Sequence, residues 1–259
     1  MSTRKPSASK PPATKLNVVC ISQARMTSTR LPGKVLMEAA GKPLLAHHLG
    51  RLSRCRTLDA LVLATTVNAT DDPVAELGAA LGVPVFRGSE HDVLSRFAGA
   101  ADMAGADVVV RVTADCPLID PAVVDRVVAE FLASDPPVDY QGIDVFHYPR
   151  GLDAEVFTRA ALIEAAANAT DPAEREHVTA HIYRRPDRFR LAHPLRHEGE
   201  AVEQRWCVDE QADFDLVSRL LETLVPVKPD FGWQDCCRVL RDHPDWADIN
   251  RDVRQRTAH

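Results

Sequence analysis

Three cations, Arg25, Arg30 and Lys34, fall within one loop-like stretch, "SQARMTSTRLPGKVL", directly after the apolar run "LNVVCI". Fixed positive charge at that spacing suits a polyphosphate. Two acidic residues occupy comparable places further along: Asp115 in "VTADCPLID", directly after "DVVVRV", and Asp209 directly after "RWCV". Carboxylates are the hard oxygen ligands that Mg²⁺ takes, and a metal set beside cations is what a triphosphate requires. The common phosphate motifs do not account for the stretch. A Walker A loop needs Gly where Ser28 stands and Ser or Thr where Val35 follows Lys34, and G-x-G-x-x-G is absent from this junction. The loop would therefore hold phosphates by side-chain cations rather than by a glycine nest. Spacing alone serves a solvated basic connection equally well.

Those residues need elements to position them. "LNVVCI", "LDALVLATT" and "DVVVRV" read as strands, the last a continuous β-branched run of the kind buried on both faces. Between them "LAHHLGRL" has helical spacing. "DPVAELGAALG" reads as a helix with Asp72 as N-cap, Pro73 in the first turn and Gly82 at the stop. "DPAVVDRVVAEFL" is capped by Asp120 and carries an apolar stripe through Val123, Val124, Val127, Val128, Phe131 and Leu132. Such alternation implies right-handed βαβ units and a largely parallel sheet, whose ligands bind beyond the carboxyl ends of the strands.

The pattern changes after Tyr140. "YPRGLDAEVF" reads as a turn into a short strand, and two helices follow. The second opens at "TDPAEREH", with Asp171 as cap and Glu174 three residues on. "QRWCVDEQADFDLVSRLLETL" returns to strand, turn and helix, with Asp209 at the strand end. If the three strands are neighbours, Asp115 and Asp209 face each other across the cations of the first loop. The division is a tail over residues 1–15 and a single domain over 16–259, with an insertion at about 140–199.

Composition limits the alternatives. The chain has 259 residues, 45% of them hydrophobic, which suffices for a substantial core; a formal net charge of −6 argues against a general nucleic-acid binder. The tail "MSTRKPSASKPPATK" is basic, rich in Pro, Ser and Thr, and reads as disordered. It lacks the apolar centre of a secretory signal, and no apolar run is long enough to span a bilayer. The six cysteines show no C-x-x-C pair and read as reduced thiols of a cytoplasmic protein, with zinc at Cys116 and Cys207 a minor alternative. Ordinary structural roles compete elsewhere. Asp115 could cap the turn before Pro117, Asp209 could be a helix N-cap, and Arg150 a solvated loop charge. His47 and His48 read as helix-surface residues, and His177 and His181 as neighbours four apart on one helix without the Glu of a metalloprotease motif. Trp206, Trp233 and Trp246 read as core.

Taken together, "ARMTSTRLPGKVL", "GKPLLAHHLGRL", "VPVFRGSEHDVLSRF", "VVRVTADCPLIDP", "YPRGLDAEVF", "EREHVT" and "VDEQADF" resemble the cytidylyltransferases that activate acidic sugars. These include the 3-deoxy-manno-octulosonate and acylneuraminate enzymes, and the likeness is greatest to the branch named for spore coat polysaccharide biosynthesis protein F. The resemblance implies a doubly wound α/β fold of nucleotide-diphospho-sugar transferase type, with a mostly parallel sheet flanked by helices. It implies Mg²⁺-dependent transfer of CMP from CTP to an acidic sugar or related acceptor, in surface polysaccharide or glycan biosynthesis. By the same resemblance Arg25, Arg30 and Lys34 would hold the phosphates, with Arg25 and Lys34 catalytic. Asp115 and Asp209 would bind the metal, and Arg87, Ser89 and Asp92 would contact the nucleoside. Asp153, Glu155, Glu176 and His177 would face the acceptor, and the inserted segment would help to build a homodimer.

Two positions depart from the family pattern. Thr27 and Ala114 stand where relatives often have Gly, and a β-branched Thr27 narrows the allowed backbone. Two rival functions come with the fold. A glycosyltransferase would need Asp-x-Asp where Asp115-Cys116-Pro117 stands. A non-catalytic nucleotide-binding relative would not need Arg25, Lys34, Asp115 and Asp209 intact.

Overall fold

The computed structural model describes residues 15–254. The tail expected over residues 1–15 thus lies, but for Lys15, outside the described residues. The chain begins with β1 (Val18–Gln23), an apolar strand buried along nearly its whole length. The basic loop follows and ends in a 3-10 turn at Lys34–Leu36. A small hairpin, β2 (Glu38–Ala39) and β3 (Lys42–Pro43), leads into α1 (Leu44–Leu52). Then come β4 (Ala60–Thr66), α2 (Asp72–Ala80), β5 (Val85–Gly88), α3 (Val93–Met103), β6 (Val108–Thr113) and α4 (Pro121–Ala133). The remaining elements are β7 (Tyr140–Gly142), β8 (Glu155–Thr158), α5 (Arg159–Asn168), α6 (Pro172–Glu176), α7 (Ala180–Tyr183), α8 (Gln211–Leu224) and α9 (Trp233–Asp242).

Six strands form one sheet in the order β5-β4-β1-β6-β8-β7. β5, β4, β1 and β6 run parallel, while β8 pairs antiparallel with β6, and β7 antiparallel with β8. Strand order reverses between β1 and β6, the two strands that precede the basic loop and the Asp115 turn. Such a reversal opens a crevice at the strand ends, where α/β sheets take their ligands. Register brings the two loops level, since Gln23 lies opposite Thr113.

Helices cover both faces, as the alternating β6 side chains require. Val108, Val110 and Val112 join a core with residues of α4, α8 and α9, while Val109 faces the opposite cluster built on α3 and α5. Asp120 caps α4 by accepting from the Ala122 amide at 2.8 Å, as expected, and Asp171 caps α6 in the same way. Trp206 and Trp233 are core residues and Trp246 is half-buried. No described helix is long and apolar enough to cross a membrane.

Several local expectations change. The N-cap position of α2 is Asp71, not Asp72, and Asp71 turns its carboxylate to the Met26 amide (2.7 Å) and the Thr66 hydroxyl. "RWCV" is not a sheet strand: Arg205 forms only an isolated bridge with Arg150. The chain is held there by close approach, because Gly151 has φ +104° and a Cβ would sit 2.7 Å from the Trp206 carbonyl carbon. Asp209 does not cap α8; Glu210 takes the N-cap position, and its amide donates to Asp213 at 3.1 Å. His177 and His181 do not share a helix, since α6 ends at Glu176 and Val178 has φ +24°. Glu174 forms no capping box and instead bonds His181 and Arg185 from inside the fold. His47 and His48 are not on the surface: both are buried, His48 completely.

Candidate active site

The loop after β1 is a closed unit. The Gly33 amide returns to the Met26 carbonyl at 2.9 Å, and Gly33 takes the left-handed φ of +73° that this closure requires. Asp71 pins Met26 from β4's side. Thr27 adds a further tie through its hydroxyl, which donates to Glu90, a carboxylate that also accepts from Asn68 at 2.5 Å. Thr27 is not among the described non-glycine residues with positive φ, so the β-branched side chain sits on ordinary backbone. The loop's outer edge borders an open cleft of about 550 Å³, lined by Met26, Thr27, Ser28, Thr29, Pro32, Gly33 and Thr70.

Lys34 opens the 3-10 turn and points inward, only 7% exposed. Its Nζ donates to Asp115 Oδ2 at 2.7 Å and to Asp209 Oδ1 at 2.9 Å. Arg30 reaches the other oxygen of Asp209 at 2.9 Å and Glu210 at 3.2 Å. Arg205, four residues before Asp209, contacts that oxygen at 2.5 Å and Asp213 at 3.1 Å. Two carboxylates and three cations thus meet at the strand mouths, even though "RWCV" lies outside the sheet. A backbone bond from the Val208 amide to the Asp115 carbonyl, 2.7 Å long, holds the two acid-bearing segments together.

Electrostatics keep Asp115 and Lys34 charged. Burial works to raise the Asp115 pKa, but the Lys34 charge and hydrogen bond outweigh it and hold the carboxyl down at about 2. Burial opposes the Lys34 charge as well; Asp115 and Asp209 reverse that and raise its pKa.

Arg25 is the loosest of the three loop cations, 3.8 Å from Glu90 and 3.9 Å from Glu176. Glu176 is exposed at the end of α6, and His177 closes that helix. Arg87 donates to the Thr66 and Asn68 carbonyls (2.8 and 2.9 Å) and pairs with Asp72 at 2.7 Å. The Ser89 hydroxyl accepts from the Asp92 amide at 3.1 Å. Asp92 caps α3 through Ser95 and takes an ion pair from Arg175 of α6 at 2.6 Å. Asp153 accepts from the Gly151 amide (2.7 Å), pairs with Arg150 at 3.2 Å, and has its pKa raised by burial. Glu155 is fully engaged, by Arg111, by the Tyr140 hydroxyl (2.7 Å) and by the Thr179 hydroxyl (2.6 Å).

Arg30, Lys34, Asp115 and Asp209 are therefore brought into one charged cluster, whereas Arg25 stands apart from it, against Glu90 and Glu176. Arg87, Ser89 and Asp92 lie around the end of β5 instead, and Asp153 and Glu155 are each held by an arginine. Arg205, Arg111 and Glu90 join these contacts, although none is among the candidate residues read from the sequence. A cation inside the β-branched "VVRVT" is the sequence signal for Arg111, and an i, i+4 relation to Asp209 the signal for Arg205.

The donor set can be tested against a divalent metal. Asp115 and Asp209 converge on a single atom, so their oxygens lie no further apart than two hydrogen bonds, and Asp115 is held anionic. Among the described residues no group of three or more His, Cys, Asp and Glu side chains could hold a metal ion. A cage made wholly of protein ligands is thus not formed, and the zinc alternative at Cys116 and Cys207 lacks its further ligands. Mg²⁺ commonly takes one or two carboxylates and completes its shell with water and phosphate oxygens, and this pair fits that habit.

Comparison with known proteins agrees with the geometry. The chain is 35% identical over 245 residues to an uncharacterized protein of Methanocaldococcus jannaschii, covering 93% of this chain and 98% of that one. It is 32% identical over 239 residues to the spore coat polysaccharide biosynthesis protein SpsF of Bacillus subtilis, covering 89% and 97%. A cytidylyltransferase structure from Leptospira borgpetersenii superposes with a TM-score of 0.86 at 28% identity, covering 93% of this chain and all of that one. A CMP:2-keto-3-deoxy-manno-octonic acid synthetase complexed with CTP shares the fold, at a TM-score of 0.62 and 18% identity over 80% of this chain and 99% of that one. The cytidylyltransferase family model matches residues 19–226, so the chain belongs to the cytidylyltransferase family and is a nucleotidyltransferase.

Proposed function

We propose that the protein transfers CMP from CTP to an acidic sugar or a chemically related acceptor, with Mg²⁺, and serves surface polysaccharide or glycan synthesis. The observation that carries this reading is the convergence of Asp115 and Asp209 on Lys34 beside Arg30. The names borne by the relatives, a spore coat polysaccharide protein and, at 38% identity over 125 residues and about half of each chain, a 3-deoxy-manno-octulosonate cytidylyltransferase of Geobacter sulfurreducens, support the acceptor class.

In this reading an acceptor oxygen attacks the α-phosphorus in line. The new P–O bond forms as the bond to the β-phosphate oxygen breaks, the acceptor hydroxyl releases its proton to solvent water, and pyrophosphate departs. No covalent enzyme intermediate is needed. Asp115 and Asp209 would hold the metal, which when bound supplies positive charge to the phosphate oxygens. A triphosphate offers Lys34 and Arg30 new anionic partners, and this releases the carboxylate oxygens they occupy. Arg25, weakly held, closes on the phosphates from the other side, so that positioning and preorganised charge lower the barrier. Arg87, Ser89 and Asp92 shape the nucleoside end of the crevice. Glu176 and His177 face the acceptor, and Asp153 and Glu155 orient Arg150 and Arg111 beneath it. A cytoplasmic homodimer is the form proposed for the working enzyme.

A pyrophosphate-release screen tests this, crossing the four ribonucleoside triphosphates with acidic sugars and small phosphate or phosphonate acceptors, with and without Mg²⁺. CTP with an acidic sugar and Mg²⁺ should give the fastest release. Equal rates with UTP, or turnover of nucleotide sugars instead, would contradict the proposal.

A further inference from the structure

The two acidic segments are not anchored by the sheet alone. His48, on α1, is completely buried and bonds through both ring nitrogens: Nδ1 lies 2.9 Å from the Cys116 carbonyl and Nε2 lies 2.9 Å from the Ser22 hydroxyl. A carbonyl can only accept, so Nδ1 carries the proton. The neutral ring then presents Nε2 as an acceptor, and Ser22, itself buried on β1, donates to it. Burial favours this neutral form and pushes the His48 pKa down to about 4. The Cys116 peptide follows Asp115 directly, and the Asp115 carbonyl accepts from Val208, one residue before Asp209. One turn on along α1, Arg51 donates to the Ile119 carbonyl at 2.6 Å. Hydrogen bonds thus lead from β1 through His48 to Cys116, the residue after Asp115, and from the Asp115 carbonyl to Val208, the residue before Asp209.

We propose that His48 is a positioning residue that sets the placement of Asp115, and through Val208 that of Asp209, for divalent-metal binding. This rests on the reading of the two aspartates as the metal pair. His48 touches neither nucleotide nor metal; it fixes the turn on which the first carboxylate stands. Groups that orient metal ligands from behind commonly change metal affinity by about 10- to 100-fold when removed.

The full-length protein with CTP and Mn²⁺ as the probe supplies the test, free Mn²⁺ being read by electron paramagnetic resonance. His48→Asn keeps a donor near the Nδ1 position, His48→Gln places its amide near Nε2, and His48→Phe removes both. The expected result is Mn²⁺ affinity weakened about tenfold or more in the Gln and Phe proteins and largely retained in the Asn protein, with metal-free CTP affinity unchanged in all three. If the Phe protein does not fold, the Asn and Gln pair makes the same comparison. The wild-type ¹⁵N imidazole spectrum should show the proton on Nδ1 of His48. Mn²⁺ binding that is lost in Asp115→Asn but equal in the His48 Asn and Gln proteins would overturn the positioning role alone, as would a proton found on Nε2. Mn²⁺ binding unaffected by Asp115→Asn and Asp209→Asn would overturn the metal reading and this inference with it.

Discussion

Asp115 and Asp209, ninety-four positions apart in the chain, hydrogen-bond the same atom, Lys34 Nζ, at 2.7 and 2.9 Å. A buried ammonium is stabilised by the two carboxylates that flank it. In the function proposed above, a triphosphate draws this ammonium away and leaves the carboxylate oxygens to a metal.

Replacing that ammonium tests the balance. Lys34→Met leaves two partly buried carboxylates facing each other, and should lower stability by roughly 2–4 kcal/mol in the absence of metal. Mg²⁺ should then raise the melting temperature of the variant more than that of the wild type, because the metal replaces the missing charge. Thermal unfolding with and without Mg²⁺ checks this; an equal shift in both proteins would count against a shared site.

Thr27 stands in the middle of the basic loop and ties it to Glu90. Thr27→Gly removes that bond and loosens the backbone, so KM for CTP should rise roughly three- to tenfold with little change in kcat. Steady-state kinetics with varied CTP decides the matter, and an unchanged or lower KM would show that the tie does not shape the phosphate grip.

Glu155 accepts from Arg111, Tyr140 and Thr179, and has no oxygen without a partner. Glu155→Gln should destabilise the fold by about 1–3 kcal/mol, because Arg111 loses its counter-charge. KM for the acceptor should rise more than KM for CTP. Chemical denaturation and two-substrate kinetics measure both effects, and full stability in the variant would contradict the assigned partners.

Acid sensitivity should have a visible source away from the site. Lys228, the Gly232 amide and Arg238 hold the Asp235 pKa near 2, below its ordinary value of 3.8, although burial opposes them. A carboxyl depressed in the folded state stabilises above its unfolded pKa, and that contribution is lost as pH falls through the folded value. Urea midpoints should therefore fall between about pH 4 and pH 2, and Asp235→Asn should flatten that limb. A variant with an unaltered slope would contradict the assignment.

The sequence makes some of this arrangement legible and hides the rest for identifiable reasons. "DVVVRV" ending at an acidic turn is a buried strand by its β-branched run, and its position fixes where Asp115 emerges. Asp209 reaches the same place by another route. Its segment is held by one bridge, by the close approach at Gly151 and by the Val208–Asp115 backbone bond, contacts between residues more than fifty positions apart that no periodicity records. Asp71 and Asp72 are equally good caps in isolation; Asp71 takes the N-cap position, yet the distant Met26 amide and Thr66 hydroxyl claim its carboxylate. His48 looks like a surface residue because a His pair is polar, and only its two buried partners make it an interior one. Arg205 is hidden because "RWCV" has the composition of a sheet strand but forms only an isolated bridge.

The most direct test of CMP transfer at the Asp115–Asp209 pair is ³¹P NMR of CTP, Mg²⁺ and the acidic-sugar panel with wild-type protein and Asp209→Ala. Wild type should produce pyrophosphate and a CMP-linked phosphodiester signal in equal amounts. Asp209→Ala, shown folded by circular dichroism, should slow this by at least about a hundredfold. Wild-type turnover by the Asp209 variant, or no pyrophosphate from CTP with any acceptor, would contradict the account.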